Sequence, residues 1–179
     1  MSNNFRHLPR FTFVLGGAAS GKSRFAETLA QDASARRMYI ATAQAFDDEM
    51  KTKIHRHQAR RTQGWRTVEA PLDASTALAQ AAPEDVVLFD CASLWLSNHM
   101  FAESDLETET FDLIRAITTC NAPVIVVSNE VGQGVVPDNA LARAFRQAQG
   151  ELNQKLAAAS DLAVFVTAGL PQVLKGTLP

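Results

Sequence analysis

Short apolar runs alternate along the chain with longer stretches whose apolar residues recur at helical spacing. The runs at residues 86–89 and 124–127 contain no polar residue, which is typical of strands covered by helices on both faces of a sheet. The pattern predicts strands at residues 11–15, 38–43, 66–69, 86–90, 124–129 and 162–168.

The stretches between these runs predict helices at residues 22–33, 47–61, 75–81, 107–119 and 139–159. Strands that alternate with helices favour an open sheet with right-handed crossover connections. We therefore predict an α/β fold with a mostly parallel central sheet and helices on both faces. The residues that follow a turn at 168–171 are not assigned to any element.

A glycine-rich segment joins the first predicted strand to the first predicted helix. Its eight residues match the pattern G-x-x-x-x-G-K-S, in which backbone N–H groups surround phosphate oxygens. They are Gly16, Gly17, Ala18, Ala19, Ser20, Gly21, Lys22 and Ser23. Lys22 would reach the terminal phosphates, and the Ser23 hydroxyl would ligate Mg²⁺. The strand and helix on either side predict a P-loop NTPase-like fold that binds a nucleoside triphosphate.

Polar residues follow several predicted strands at their carboxyl ends, where ligands bind in open α/β sheets. Ala41, Thr42 and Ala43 close the second strand, and Asp90 closes the fourth. An acid at that place stands beside Mg²⁺ in phosphate-loop proteins, although Asp90 could instead cap a segment that starts near Ser93.

The fifth predicted strand ends in an amide and an acid, followed by two glycines and a proline. This composition requires special backbone angles at the edge where ligands bind. Asn129 and Glu130 are therefore candidates for a loop that contacts substrate.

Two histidines lie in the predicted helix at 47–61. Met50, Ile54 and His57 share one face at spacings of four and three residues, whereas His55 points nearly opposite. On composition alone, His57 is read first as a hydrogen-bonded residue at the edge of the core.

Bulk properties narrow the class of protein. A chain of 179 residues suits one domain, and we expect a flexible tail at residues 1–10 before a single catalytic domain at 11–179. The net charge of −2 favours no nucleic-acid partner. Cys91 and Cys120 form no metal or disulfide pattern, so each is expected to be a small buried residue.

Without a recognisable signal or apolar span, we expect a cytoplasmic protein with no membrane insertion. A small-molecule kinase and a regulatory NTP-binding module both remain open at this point.

Several segments together closely resemble the bifunctional adenosylcobinamide kinase / adenosylcobinamide-phosphate guanylyltransferase family of cobalamin biosynthesis. The similarity runs from residue 11 to 175, and its most specific parts lie around His57 and in the loop after Asn129. The matching segments are GGAASGKSR at 16–24, YIATA at 39–43, DDEM at 47–50, IHRH at 54–57, DCASLWLSN at 90–98, NEVGQGVVP at 129–137, LARAFR at 141–146 and NQ at 153–154.

The resemblance implies two reactions. First, the terminal phosphate of ATP or GTP moves to the hydroxyl of adenosylcobinamide. Second, GTP gives GMP to an enzyme histidine and releases pyrophosphate, and the GMP then passes to adenosylcobinamide phosphate. The product is adenosylcobinamide-GDP.

The resemblance also assigns roles to residues. In the family, the guanylylated histidine lies three residues after an isoleucine that corresponds to Ile54. The matching residue in this chain is His57, whereas His55 falls on a variable position. The residues placed near the nucleotide, besides the glycine-rich segment, are Ala41, Thr42, Ala43, Gln58, Ala59, Arg60, Arg61, Glu69 and Asp90. Mg²⁺ would accompany the nucleotide, and members of the family are expected to form homo-oligomers, with a trimer the expected form.

Overall fold

A computed structural model describes residues 7–44 and 63–179 of the chain. In this part of the chain, seven strands form one sheet in the order β3-β2-β4-β5-β1-β6-β7. Strands β1 to β6 run parallel to one another, and β7 runs antiparallel to β6. The strands are β1 Phe11–Gly16, β2 Arg37–Ala41, β3 Trp65–Glu69, β4 Val86–Asp90, β5 Val124–Asn129, β6 Leu162–Thr167 and β7 Leu170–Lys175.

Helices cover both faces of this sheet. One face packs against α1, through Ala26, Leu29 and Ala30. The opposite face carries a larger apolar cluster built with the helices α2 to α5, and Trp95 and Leu156 are fully buried within it. The helices are α1 Lys22–Ala33, α2 Ala74–Leu78, α3 Ala92–Phe101, α4 Leu106–Thr119 and α5 Ala140–Ala159. The predicted α/β class, with a mostly parallel sheet between helices, is confirmed.

Most predicted elements agree with the structure to within a few residues. Helix α1 has the predicted bounds, and strands β4 and β5 do as well. The predicted helix at 75–81 is shorter, Ala74–Leu78, and Asp73 caps it by accepting a hydrogen bond from the backbone N–H of Thr76. The predicted helix at 47–61 lies outside the described residues.

Three differences have physical reasons. Strand β2 ends at Ala41 rather than at residue 43, because the Thr42 side chain turns to the Cys91 peptide. Helix α3 was not assigned, since apolar residues occupy most of it and give no clear helical period. The turn predicted at 168–171 covers only residues 168 and 169, and strand β7 begins at Leu170. Every residue of this edge strand is exposed, so it has no buried apolar run that would predict a strand. Pro171 is tolerated there because an edge strand leaves N–H positions unpaired.

The two cysteines are free and buried, as predicted. None of the helices in the described ranges is long and apolar enough to cross a membrane. Ahead of β1, Leu8 is buried, and the Arg10 guanidinium donates to the carbonyl oxygen of Cys120 at 2.6 Å.

Candidate active site

The glycine-rich segment forms a closed loop between β1 and the start of α1. Gly21 caps α1 with a φ of 92°, a backbone conformation that favours glycine. Lys22 begins the helix, and its Nζ donates to the carbonyl oxygen of Gly17 at 3.1 Å across the loop. The N-terminus of α1 therefore faces the space enclosed by the loop, which suits an anion.

Neighbouring segments hold this loop on both sides. The backbone N–H of Gly169, in the turn between β6 and β7, donates to the carbonyl oxygen of Ser20 at 2.7 Å. The N–H of Glu130, just after β5, donates to the carbonyl oxygen of Gly16 at 3.0 Å. A Cβ on Gly21 would lie 3.1 Å from the Cα of Gly169, so the two backbones approach closely.

The first glycine of the loop has no room for a side chain. A Cβ on Gly16 would lie 2.6 Å from the carbonyl oxygen of Val166 and 2.5 Å from Ser20 Oγ. A Cβ on Gly17 meets no atom within 4 Å. We therefore expect Gly16→Ala to lower the free energy of unfolding by about 1–3 kcal/mol through overpacking, and Gly17→Ala to change it little. Thermal unfolding of both variants without nucleotide tests this, and equal melting temperatures would contradict it.

Asp90 lies at the carboxyl end of β4, facing the same side of the sheet as α1. The hydroxyl of Tyr39 donates to its Oδ2 at 3.0 Å. The alternative role, capping the following helix, is not seen, because the N-cap of α3 is Cys91 and no side chain bonds there. The Tyr39 hydroxyl thus fixes the orientation of the carboxylate, which lies at the carboxyl edge of the sheet.

The parallel register places three of the predicted nucleotide residues side by side. Ala41 pairs with Asp90 on one side and with Glu69 on the other. Glu69 ends β3 and is exposed. Because registered residues of parallel strands face the same side, Glu69 and Asp90 flank Ala41 on the face that carries α1.

Thr42 and Ala43 follow Ala41 where the chain leaves the sheet. The buried Thr42 hydroxyl donates to the carbonyl oxygen of Cys91 at 2.9 Å and accepts from its N–H at 2.8 Å. Its side chain therefore fixes the chain directly after Asp90. Burial, together with the Asp90 carboxylate, raises the pKa of the Cys91 thiol to about 12. The thiol stays protonated at neutral pH, so Cys91 supplies no nucleophile beside Asp90.

Asn129 closes β5, between the strands that carry the phosphate loop and Asp90. It pairs in register with Gly16, and its main chain is held by two side chains. Ser93 Oγ accepts from its N–H at 2.9 Å, and Asn153 Nδ2 donates to its carbonyl oxygen at 3.0 Å. Both belong to a buried polar network in which Gln149 also contacts Ser128 and Asn153.

The segment after Asn129 is held from α5. The Glu130 carboxylate accepts from the N–H of Gly132, and Arg146 donates to the carbonyl oxygens of Gly132 and Gly134. Arg143 donates to the carbonyl oxygens of Pro137 and Asp138. Sequence reasoning assigned no role to these arginines, although their segment was part of the family resemblance. Arg146 lies 12 to 14 residues from the carbonyl oxygens it binds, and the packing of α5 brings it to them, so the local pattern gives no signal for its contacts.

Several predicted site residues lie outside the described residues. These are His57, its neighbour His55, and the nucleotide candidates Gln58, Ala59, Arg60 and Arg61. The remaining predicted residues gather along one edge of the sheet. That edge combines an anion-binding loop with an acid at the end of a nearby strand.

The oxygen donors at this edge suit Mg²⁺. Ser23 contributes a hydroxyl at the start of α1, and Asp90 contributes a carboxylate. Mg²⁺ prefers oxygen ligands and retains water and phosphate ligands in nucleotide sites, so few protein donors are needed. Among the described residues there is no cluster of three or more His, Cys, Asp or Glu side chains able to hold a metal without such help.

The fold and the loop define a P-loop NTPase-like protein. The flagellar accessory protein FlaH from Methanocaldococcus jannaschii superposes with a TM-score of 0.52 at 15% identity, over 95% of this chain and 80% of that chain. An ATPase from the type III secretion system of pathogenic bacteria gives a TM-score of 0.59 at 8% identity, over 92% of this chain and 56% of that one. At these identities the likeness concerns the fold alone.

The sequence identifies the family more closely. The model of the cobinamide kinase / cobinamide phosphate guanyltransferase family matches residues 12–174, and the chain belongs to this family. It is 41% identical to the bifunctional adenosylcobalamin biosynthesis protein CobU of Salmonella typhimurium, over 90% of this chain and 98% of that protein. It is 43% identical to the bifunctional adenosylcobalamin biosynthesis protein CobP of Pseudomonas aeruginosa, over 91% of this chain and 96% of that protein. The resemblance inferred from the motifs is confirmed.

Proposed function

We propose that this chain phosphorylates adenosylcobinamide with ATP or GTP and then converts the product to adenosylcobinamide-GDP with GMP from GTP. The observation that carries the proposal is a family match across the chain together with a phosphate loop at the same edge of the sheet as Asp90. The family description supplies the two reactions, and the loop supplies the phosphate site that both require.

In the kinase step, the acceptor hydroxyl attacks the γ-phosphorus of the nucleotide, and the bond to the β-phosphate oxygen breaks. In this step, the N-terminus of α1 and the backbone N–H groups of the loop hold the phosphates. Lys22 neutralises the charge that develops on the leaving phosphate. Bound Mg²⁺, held through Ser23 and Asp90, would supply further neutralisation.

In the transferase step, His57 attacks the α-phosphorus of GTP, and pyrophosphate leaves. A neutral imidazole is nucleophilic near neutral pH and leaves readily when the phosphate of the acceptor attacks the resulting phosphoramidate. The chain that leads to His57 leaves the sheet after Ala41, which pairs in register with Glu69 and Asp90. The register favours a guanine site beside Ala41, on the β3 side of the phosphate loop.

Glu69 is the residue we propose to recognise guanine. A carboxylate accepts two hydrogen bonds, from the guanine N1–H and the N2 amine, whereas adenine lacks both donors. We expect Glu69→Gln to weaken GTP binding by about tenfold and to leave ATP binding nearly unchanged. Titration of each nucleotide by calorimetry tests this. Equal losses for both nucleotides would remove the guanine-specific role.

Purified protein incubated with Mg²⁺, GTP and adenosylcobinamide tests the proposed function directly. Chromatography of the corrinoids should show adenosylcobinamide phosphate first and adenosylcobinamide-GDP later. Formation of the phosphate alone would leave a kinase without the transferase activity. GTP hydrolysis that the corrinoid does not stimulate would point to a regulatory NTPase instead.

The family also leads us to propose a homo-oligomer, with a trimer the expected form. One observation fits self-association: Leu170 and Leu174 of the edge strand β7 are 72% and 58% exposed. Exposed apolar residues on an unpaired edge strand are otherwise an aggregation hazard. Light scattering of the purified protein would give its mass in solution.

A further inference from the structure

Strand β5 continues past the end of its neighbour β4 at the edge that carries the candidate site. The last residue of β4, Asp90, pairs with Val127, so Asn129 lies beyond the last strand partner on that side. Its backbone N–H and C=O groups therefore need other hydrogen-bond partners. Two side chains supply them: Ser93 Oγ accepts from the N–H of Asn129 at 2.9 Å, and Asn153 Nδ2 donates to its carbonyl oxygen at 3.0 Å.

The partners of the Asn153 amide fix its orientation. A carbonyl oxygen only accepts hydrogen bonds, so the group that faces Asn129 must be Nδ2, and Oδ1 must point to the other side. There Oδ1 accepts from the Ser128 hydroxyl at 2.7 Å and from Gln149 Nε2 at 2.9 Å. Asn153, Ser128 and Gln149 are all buried. The Asn153 side chain therefore holds a donor directed at the Asn129 carbonyl oxygen.

Stability alone does not account for the amide of Gln149. Its Oε1 is buried and has no hydrogen-bond partner among the described residues. A buried acceptor without a partner lowers the stability of a protein, and an apolar side chain at this position would avoid that cost. What the amide provides is its Nε2, which donates to Ser128 Oγ and Asn153 Oδ1 and so fixes the Asn153 side chain.

One peptide unit connects Asn153 to the phosphate loop. The carbonyl oxygen of Asn129 and the N–H of Glu130 belong to the same peptide, which is planar. Asn153 holds the carbonyl oxygen, and the N–H donates to the carbonyl oxygen of Gly16, the first residue of the loop, at 3.0 Å. A rotation of this peptide away from Asn153 would also turn its N–H away from Gly16. The orientation that Asn153 imposes on the peptide is therefore transmitted to the loop.

We propose that Asn153 is a positioning residue for both reactions, because it sets the Asn129–Glu130 peptide and, through that peptide, the backbone of the phosphate loop. The inference rests on the proposed bifunctional activity, in which both steps use this loop. Asn153 is buried on α5 and acts through the backbone rather than on the nucleotide. Since ATP and GTP share the loop, Asn153 affects both alike, in contrast to the guanine-specific role proposed for Glu69.

Asn153→Ala should weaken the binding of ATP and of GTP by the same factor, about tenfold for each. Without the donor to the Asn129 carbonyl oxygen, the nucleotide itself must order the loop, which lowers its affinity. At saturating nucleotide the loop is ordered again, so kcat of the kinase should fall by less than about threefold. A partly unfolded variant would behave differently, because a smaller active fraction lowers kcat and leaves KM unchanged. Calorimetric titrations with Mg²⁺ and kinase kinetics measure these values.

Two control variants separate positioning from stability. Gln154→Ala removes an amide from the next residue of α5, which is exposed, and should leave affinities and melting temperature unchanged. Ile117→Val removes a buried methyl group on α4 and should lower the melting temperature with both affinities intact. Unchanged affinities in Asn153→Ala, a loss for only one nucleotide, or an equal loss in Ile117→Val would overturn the proposal.

Hydrogen exchange of the nucleotide-free wild-type protein gives an answer that does not depend on a variant folding. The amide of Glu130 should exchange at least about tenfold more slowly than that of Val135, which is 95% exposed in the same segment. Mass spectrometry at single-residue resolution measures both amides, and equal rates would overturn the proposal. Wild-type protein that binds both nucleotides but yields neither adenosylcobinamide phosphate nor a GMP adduct would instead refute the proposed function, which is a different result.

Discussion

His57→Ala should abolish the covalent GMP adduct that wild-type protein forms with GTP and Mg²⁺. The variant lacks the imidazole that attacks the α-phosphorus, and no described residue near Asp90 offers a replacement, because the Cys91 thiol stays protonated. We expect adduct formation to fall by at least about a thousandfold, since a removed covalent nucleophile has effects of this size. Intact-mass spectrometry under non-acidic conditions, which preserve phosphoramidates, measures the GMP-sized gain.

His55→Ala is the matched control for that experiment, since it removes an imidazole two positions away. It should retain the adduct. An adduct lost in His55→Ala and kept in His57→Ala would move the nucleophile to His55. No adduct in wild-type protein that binds GTP would remove the covalent mechanism and leave a plain kinase.

Lys22→Ala should impair both reactions, because both place phosphates in the same loop. The side chain lies at the start of α1, and its Nζ donates across the loop to the carbonyl oxygen of Gly17, within the segment expected to hold the phosphates. We expect kcat of the kinase and the rate of adduct formation each to fall by about 10²–10³-fold, as for loss of one group that stabilises developing charge.

Lys155→Ala serves as the control for Lys22, because Lys155 is exposed on α5 far along the chain from the phosphate loop. Its rates should match those of the wild type. A Lys22→Ala variant that loses only one of the two activities would mean that the reactions use separate phosphate sites.

The fold was largely predictable because its strands are continuous apolar runs and its first turn is a motif. Strands β4 and β5 are buried along their length, and their residues leave little alternative to a sheet covered on both faces. Helix α3 escaped prediction because it is buried on several sides, with Ala92, Trp95 and His99 all inside. Strand β7 escaped because its pairing with β6, not its own composition, makes it a strand.

The positions of Lys22 and Asp90 at the carboxyl edge of the sheet were predictable, because each follows directly from a strand end. The residues that hold the site in place could not be predicted. Arg146 binds carbonyl oxygens that lie 12 and 14 residues before it in the sequence. Tyr39 binds Asp90, which lies 51 residues after it. Such contacts depend on how α5 and β2 pack, which the local pattern of a sequence does not specify.

The hydrogen bonds from Gly169 and Glu130 to the phosphate loop have a thermodynamic consequence. They hold the backbone of the loop from both sides within the protein itself. The conformational entropy of these residues is therefore lost during folding rather than during nucleotide binding. A larger share of the contact free energy with the phosphates then remains as affinity and as stabilisation of the transition state. The turn between β6 and β7 thus acts as a preorganising element for the phosphate loop.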